Sequence, residues 1–179
     1  MKLSQNPEEL EMMLNFIKEN NVKSVLEIGS RYGETLAAMA QVMPEGSRIV
    51  SVELPNGPWG RPDSLEVLRT CMQTLGEKYD THLLLGDSKS KTVIDVVESL
   101  GPFDFIFIDG DHSLDGVKSD WNNFGKLGKY VGFHDVNTTL DVTPFWNELK
   151  KDMLHVELIS SSSPKMGIGI IYNENSADA

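Results

Sequence analysis

Five apolar runs in this chain each stop at polar, mostly acidic residues. These are Glu27 and Gly29, then Glu53, then Asp87 and Ser88, then Asp109 with Asp111 and His112, and last His134 with Asp135. Such carboxylates and imidazoles can accept hydrogen bonds from ligand hydroxyls, hold a cation or move a proton. Any one of them could equally cap the helix that follows. If the runs are parallel strands, however, all five ends share one edge and converge on a single crevice.

The first run leads into VLEIGSRYGETL (Val25–Leu36), in which Gly29 and Gly33 bracket a short strand-to-helix turn. Glycine there permits a tight bend and a close approach of ligand to backbone. Glu53 follows about twenty residues later, the place of an acid that accepts from ribose hydroxyls in nucleotide sites. A dinucleotide fingerprint starting at Gly29 would need glycine at position 31 and a small residue at 34, where Arg31 and Glu34 stand. Glu34 at a helix start would repel a pyrophosphate. An adenosine ligand without phosphates fits better, and acids favour one that carries positive charge. S-adenosylmethionine meets both conditions.

The elements that must position these residues read as alternating helix and strand. Asn6 caps a first helix with Pro7 in its first turn, and Leu10, Met13, Leu14 and Ile17 form its buried stripe. Strands are expected at Val25–Ile28, Arg48–Val52, Thr81–Leu85, Phe103–Ile108 and Tyr130–Phe133. Helices are expected at Glu34–Met43, from Asp63-Ser64 to about Tyr79, over Lys91–Leu100, over Leu114–Leu127 and over Thr143–Met153. Val156–Ser160 and Met166–Tyr172 close the chain as an antiparallel hairpin. The pattern implies an α/β, Rossmann-like, doubly wound and mostly parallel seven-stranded sheet with that C-terminal hairpin. It is one domain: residues 1–21 as the N-terminal helix region, 22–172 as core and 173–179 as tail. Leu54–Pro62 holds three prolines and two glycines, so it reads as a loop beside the crevice. Its Trp59 either stacks over a ligand base or anchors the surface. Trp121 reads as core, and His82 and His155 as structural.

The net charge of −11 argues against general nucleic-acid or anionic-membrane binding, since phosphates would be repelled. Cys71 is the single cysteine, which excludes an intramolecular disulfide framework and fits a reducing compartment. No apolar run reaches membrane-spanning length, and Met1–Asn20 lacks the pattern of a signal peptide. A cytoplasmic location is expected.

The ordered set of motifs resembles class I S-adenosylmethionine-dependent methyltransferases. It comprises E-x-G-x-x-x-G (Glu27, Gly29, Gly33), the strand-two acid Glu53, G-D-S at Gly86–Ser88 and I-D-G-D-H at Ile108–His112. Within that class the chain is similar to the metal-dependent small-molecule O-methyltransferases, the group with macrolide-sugar O-methyltransferases and cephalosporin hydroxylase-like proteins. The resemblance implies that Glu27 and Gly29 border the methionine part of the cofactor, with Ser30, Tyr32 and Gly33 closing the turn. It implies that Glu53 holds the ribose, while Asp87 and Ser88 meet the adenine. It places a divalent cation, Mg or Mn, on Asp109, His134 and Asp135, although an imidazole suits Mn, Fe or Zn better than Mg. His112, three residues after Asp109, takes the place of a proton-accepting base near its ordinary pKa. The acceptor is expected to be a hydroxylated small molecule or sugar, and self-association into a homo-oligomer stays open. A non-catalytic cofactor-binding module is the rival from another class, and an NAD-type oxidoreductase is disfavoured by the glycine pattern. The short region before the first strand offers little material for a cap over the acceptor.

Overall fold

A computed structural model describes residues 5–57, 63–138 and 140–173. The second half of the Leu54–Pro62 loop, with Trp59, and nearly all of the C-terminal tail lie outside the described residues.

The centre of the fold is β1 (Ser24–Ile28), four of whose five residues are buried. It pairs in parallel with β2 (Arg48–Glu53) on one side and with β4 (Phe103–Ile108) on the other. β3 (Asp80–Leu85) extends the sheet beyond β2, and β5 (Gly128–His134) extends it beyond β4, both in parallel. The closing hairpin folds as expected. β7 (Ile168–Tyr172) lies antiparallel between β5 and β6 (His155–Leu158), giving the order β3-β2-β1-β4-β5-β7-β6.

Side chains alternate across each strand, so the sheet has two apolar faces to cover. Val25, Ile49, Phe105 and Phe107 meet Leu10, Met13 and Ile17 of α1 (Pro7–Glu19), Leu36 and Met39 of α2 (Glu34–Ala40), and Leu68 and Met72 of α3 (Ser64–Leu75). Leu26, Val50, Ile106 and Ile108 meet α4 (Lys91–Leu100), α5 (Leu114–Phe124) and α6 (Val142–Leu149), with Trp146 wholly buried. Three helices on each face is the doubly wound arrangement.

Several element ends differ from expectation. α2 stops at Ala40 and reaches Met43 through a turn that still buries that residue. α5 stops at Phe124, where Gly125 packs against the Trp121 ring, and a 3-10 turn carries the chain to Leu127. Trp121 itself is half-buried, 5.8 Å from the Phe133 ring. Asp63 stands before α3, but its carboxylate accepts no capping hydrogen bond from the first turn. Among the described residues no helix is long and apolar enough to cross a membrane.

Candidate active site

The five strand ends do converge. A cavity of about 530 Å³ opens along their carboxyl edge, a volume in the range of small-molecule sites. Gly29, Ser30, Tyr32, Glu53, Asp87, Ser88, Asp109, His112, His134 and Asp135 all line it. Two expected contacts do not. Glu27 is buried beneath the floor, and Gly33 lies on the far side of the turn, where it packs against Leu68 and Cys71.

The turn after β1 is built by backbone geometry. Gly29 has φ +91°, and a Cβ there would stand 2.4 Å from the Asp109 carbonyl oxygen and 2.6 Å from Gly110 Cα. Only glycine lets the two loops touch. Arg31 takes a left-handed φ of 49°, and its N–H donates to Glu53 Oε2 at 2.7 Å. That bond fastens the carboxylate of β2 to the turn of β1. Ser51 Oγ donates to Ser30 Oγ at 2.8 Å and braces the turn from below. Gly33, at φ +78°, leads into α2. At the next edge position the Lys89 N–H donates to Asp87 Oδ1 at 2.9 Å, forming a tight turn after β3.

The acids around the floor crowd one another. Burial, then the charge of Asp109, pushes the Glu27 carboxyl up to about 8. Burial raises Glu53 as well, against the opposing bond from Arg31. A ligand carrying positive charge relieves such crowding.

Beyond the Gly29 contact, along the ends of β4 and β5, sit two imidazoles between two carboxylates. His112 Nδ1 is 2.7 Å from Asp135 Oδ2, and its Nε2 is 3.2 Å from Asp109 Oδ1. His134 Nδ1 is 3.0 Å from the same Asp109 oxygen without the alignment of a hydrogen bond, and its Nε2 is buried with no partner. Asp109 remains ionised. Burial opposes this, but the charge of His134 and the close approach of both imidazoles hold its carboxyl below the usual range. His112, bonded to Asp109 and Asp135, is raised to about 10. The expectation of an imidazole near its ordinary pKa is therefore corrected: its two carboxylate neighbours favour the protonated ring. His134 is also raised: burial is the largest influence and opposes this, but Asp109 and Asp135 together outweigh it. Asp135 has a left-handed φ of 60° at the strand end, a strained conformation of the kind that clusters at functional sites.

Three ligand atoms, one each from Asp109, His112 and His134, lie within 4.8 Å of one another and could hold a metal ion. This set exchanges the expected Asp135 for His112, because Asp135 stands behind His112. A carboxylate behind a ligating imidazole is a common way to fix its tautomer and aim.

Sequence reasoning missed two residues. Gln5 lines the cavity and its Nε2 donates to Asp109 Oδ2 at 2.7 Å, although 104 positions separate them. Asp120, on α5, is fully buried with neither oxygen aligned to a partner among the described residues. Burial raises its carboxyl to about 6, and the Ser88 hydroxyl partly opposes this. Asp120 sits on a helix whose apolar stripe gives its position no chemical signal.

A family model described as a methyltransferase domain matches residues 26–136, more than half of the chain. Among solved structures the chain is similar to the O-methyltransferase from Bacillus cereus in complex with S-adenosylhomocysteine. The TM-score is 0.71 at 16% identity, covering 95% of this chain and 83% of that one. It is also similar to the O-methyltransferase TomG from Streptomyces achromogenes, involved in tomaymycin synthesis and solved with S-adenosylmethionine. That TM-score is 0.69 at 16% identity, covering 95% and 81%. No curated protein matches the chain. On the family match the chain belongs to the methyltransferase domain family, and its fold is that of the O-methyltransferases it is similar to.

Proposed function

We propose that this protein transfers a methyl group from S-adenosylmethionine to a hydroxyl of a small molecule or sugar. One observation carries the reading. The Gly29 turn, with Glu53 at the end of β2 and Asp87 after β3, lines the same cavity as the Asp109–His112–His134–Asp135 cluster. When bound, S-adenosylmethionine would supply an electrophilic methyl carbon, to which the acceptor oxygen would bond as the carbon–sulfur bond breaks and sulfur leaves as a neutral thioether.

The chain's own residues bind, orient and take up a proton. Gly29 admits the cofactor chain against the loop backbone. Glu53 and Asp87 offer carboxylates to the ribose hydroxyls and the adenine amino group. Asp135 holds the His112 ring through Nδ1, which aims Nε2 at the cavity beside Asp109. In the reaction His112 Nε2 accepts the hydroxyl proton as the oxygen bonds to carbon. The positive charge of a bound cofactor, next to the Asp109 carboxylate, favours the neutral imidazole this step needs. Holding acceptor oxygen and methyl in line supplies much of the rate.

A second reading is favoured by the buried, unpartnered Nε2 of His134. Asp109, His112 and His134 fit a divalent cation, with Mn better matched than Mg to two imidazoles. It would polarise the acceptor hydroxyl. Nε2 of His112 cannot both ligate and accept the proton, so chelation separates the readings. Full turnover in chelator supports the proton role, and loss restored by Mn supports the cation.

Calorimetry with S-adenosylmethionine, its demethylated product and NAD tests the cofactor assignment. The first two are expected to bind and NAD not, with Glu53→Ala and Asp87→Ala each weakening binding about tenfold. Unchanged affinity in both variants removes the assignment. Tight cofactor binding without transfer across a broad panel of hydroxylated acceptors, with and without Mn, leaves a non-catalytic module.

A further inference from the structure

Residues just before and at the start of α1 are buried to a degree their polarity does not explain. Gln5, Asn6 and Glu9 are 7%, 6% and 1% exposed. Each is fastened to a distant part of the chain. Asn6 Nδ2 donates to the Pro164 carbonyl at 2.7 Å while its Oδ1 caps α1. Glu9 Oε1 accepts from the Ser160 N–H at 3.0 Å. The Glu8 carboxylate gathers the hydroxyls of Ser160, Ser161 and Ser162, which hold its pKa down to about 2. The strap from Gln5 to Glu9 is therefore tied across the β6–β7 connection, and it delivers Gln5 to the cavity.

What Gln5 does there is set by its two amide atoms. Nε2 is used on Asp109 Oδ2, which fixes the plane of the amide. Oε1 is buried with no partner among the described residues. An unmet buried carbonyl is costly, so the site is complete only when a hydrogen-bond donor arrives. The donor's charge follows from Asp109. Its Oδ1 lies beside the two imidazoles and its Oδ2 accepts from Gln5, so the Gln5 side presents two acceptors, a carboxylate oxygen next to an unmet amide carbonyl. That pair suits an ammonium. It also adjoins the Gly29 turn, because Gly29 packs directly on the Asp109 carbonyl.

We infer that Gln5 Oε1 accepts a hydrogen bond from the α-ammonium group of the cofactor's amino-acid end, so that the strap reads the amino acid. This rests on the cofactor reading above and deepens it. Gln5 lies outside the span matched by the methyltransferase family, residues 26–136.

The test compares two ligands on wild type and Gln5→Met, which keeps length and apolar bulk but loses both hydrogen-bonding atoms. S-adenosylhomocysteine carries the amino acid. 5′-Deoxy-5′-methylthioadenosine carries the same adenosine and sulfur without it. By calorimetry, Gln5→Met is expected to weaken S-adenosylhomocysteine about tenfold and to leave methylthioadenosine within about twofold, because the bond to the ammonium is lost while the adenosine contacts stay. Unchanged S-adenosylhomocysteine affinity, or equal losses for both ligands, overturns the inference, the second result making Gln5 a mere wall of the pocket. Wild type that binds neither ligand fails the cofactor reading itself, which is a different result.

Discussion

At His112 two carboxylates share one imidazole, and the pairing decides what the residue can do. Asp135 at 2.7 Å orients the ring, while Asp109 at 3.2 Å shares the atom that faces the cavity. Removing the ring leaves both carboxylates and the cofactor end of the pocket in place. His112→Ala is therefore expected to lower turnover about a hundredfold or more while S-adenosylhomocysteine affinity stays near wild type. Single-turnover methyl transfer alongside calorimetry measures both. Normal transfer in a folded, cofactor-binding variant would show that the hydroxyl is activated without this imidazole. The candidate base was legible in the sequence, three residues past Asp109 across a glycine. Its raised pKa was not, because Asp135 meets it only when β4 and β5 pair.

At the scale of elements, β1 and β4 place their loops so close that one side chain is excluded. Gly29 and Gly46 share left-handed backbone, at φ +91° and +82°, but differ in surroundings. A Cβ at Gly46 meets nothing within 4 Å, whereas one at Gly29 collides with the backbone of Asp109 and Gly110. Gly46→Ala is expected to cost about 1–2 kcal/mol, the left-handed strain alone. Gly29→Ala should cost clearly more in urea unfolding and should abolish S-adenosylhomocysteine binding. Equal losses in the two variants would mean the loop contact is dispensable. Strands and their polar ends were legible because apolar runs, turn residues and acids recur in a fixed order. Helix ends were less so: Met43 stays buried beyond the end of α2, and Gly125 yields to the Trp121 ring. Gln5 was illegible, since no local pattern marks a polar residue that meets its partner across the whole sheet.

The whole molecule carries −11 and still buries acids on and under one sheet edge. That combination sets a direction for stability against pH. Asp120 is wholly buried, and burial lifts its carboxyl from 3.8 to about 6 in the folded state. Below pH 3.8 both folded and unfolded chains hold this proton, and Asp120 costs the folded state no charge burial. As pH rises to about 6 and beyond, the folded chain must bury a charge that the unfolded chain leaves in water, so stability is lost. The shift corresponds to at most ~3 kcal/mol. Glu27 adds a second decline in the same direction, reaching to about 8. Self-repulsion of the acidic surface adds a shallow third. Asp120→Asn removes only the first. Its melting temperature should match wild type near pH 4, exceed it at pH 8 and still fall between pH 6 and 8 through Glu27 and the raised imidazole of His112. Scanning calorimetry across that range measures this. Parallel pH curves for variant and wild type would show that Asp120 titrates as an ordinary carboxylate and that the decline belongs to the remaining groups.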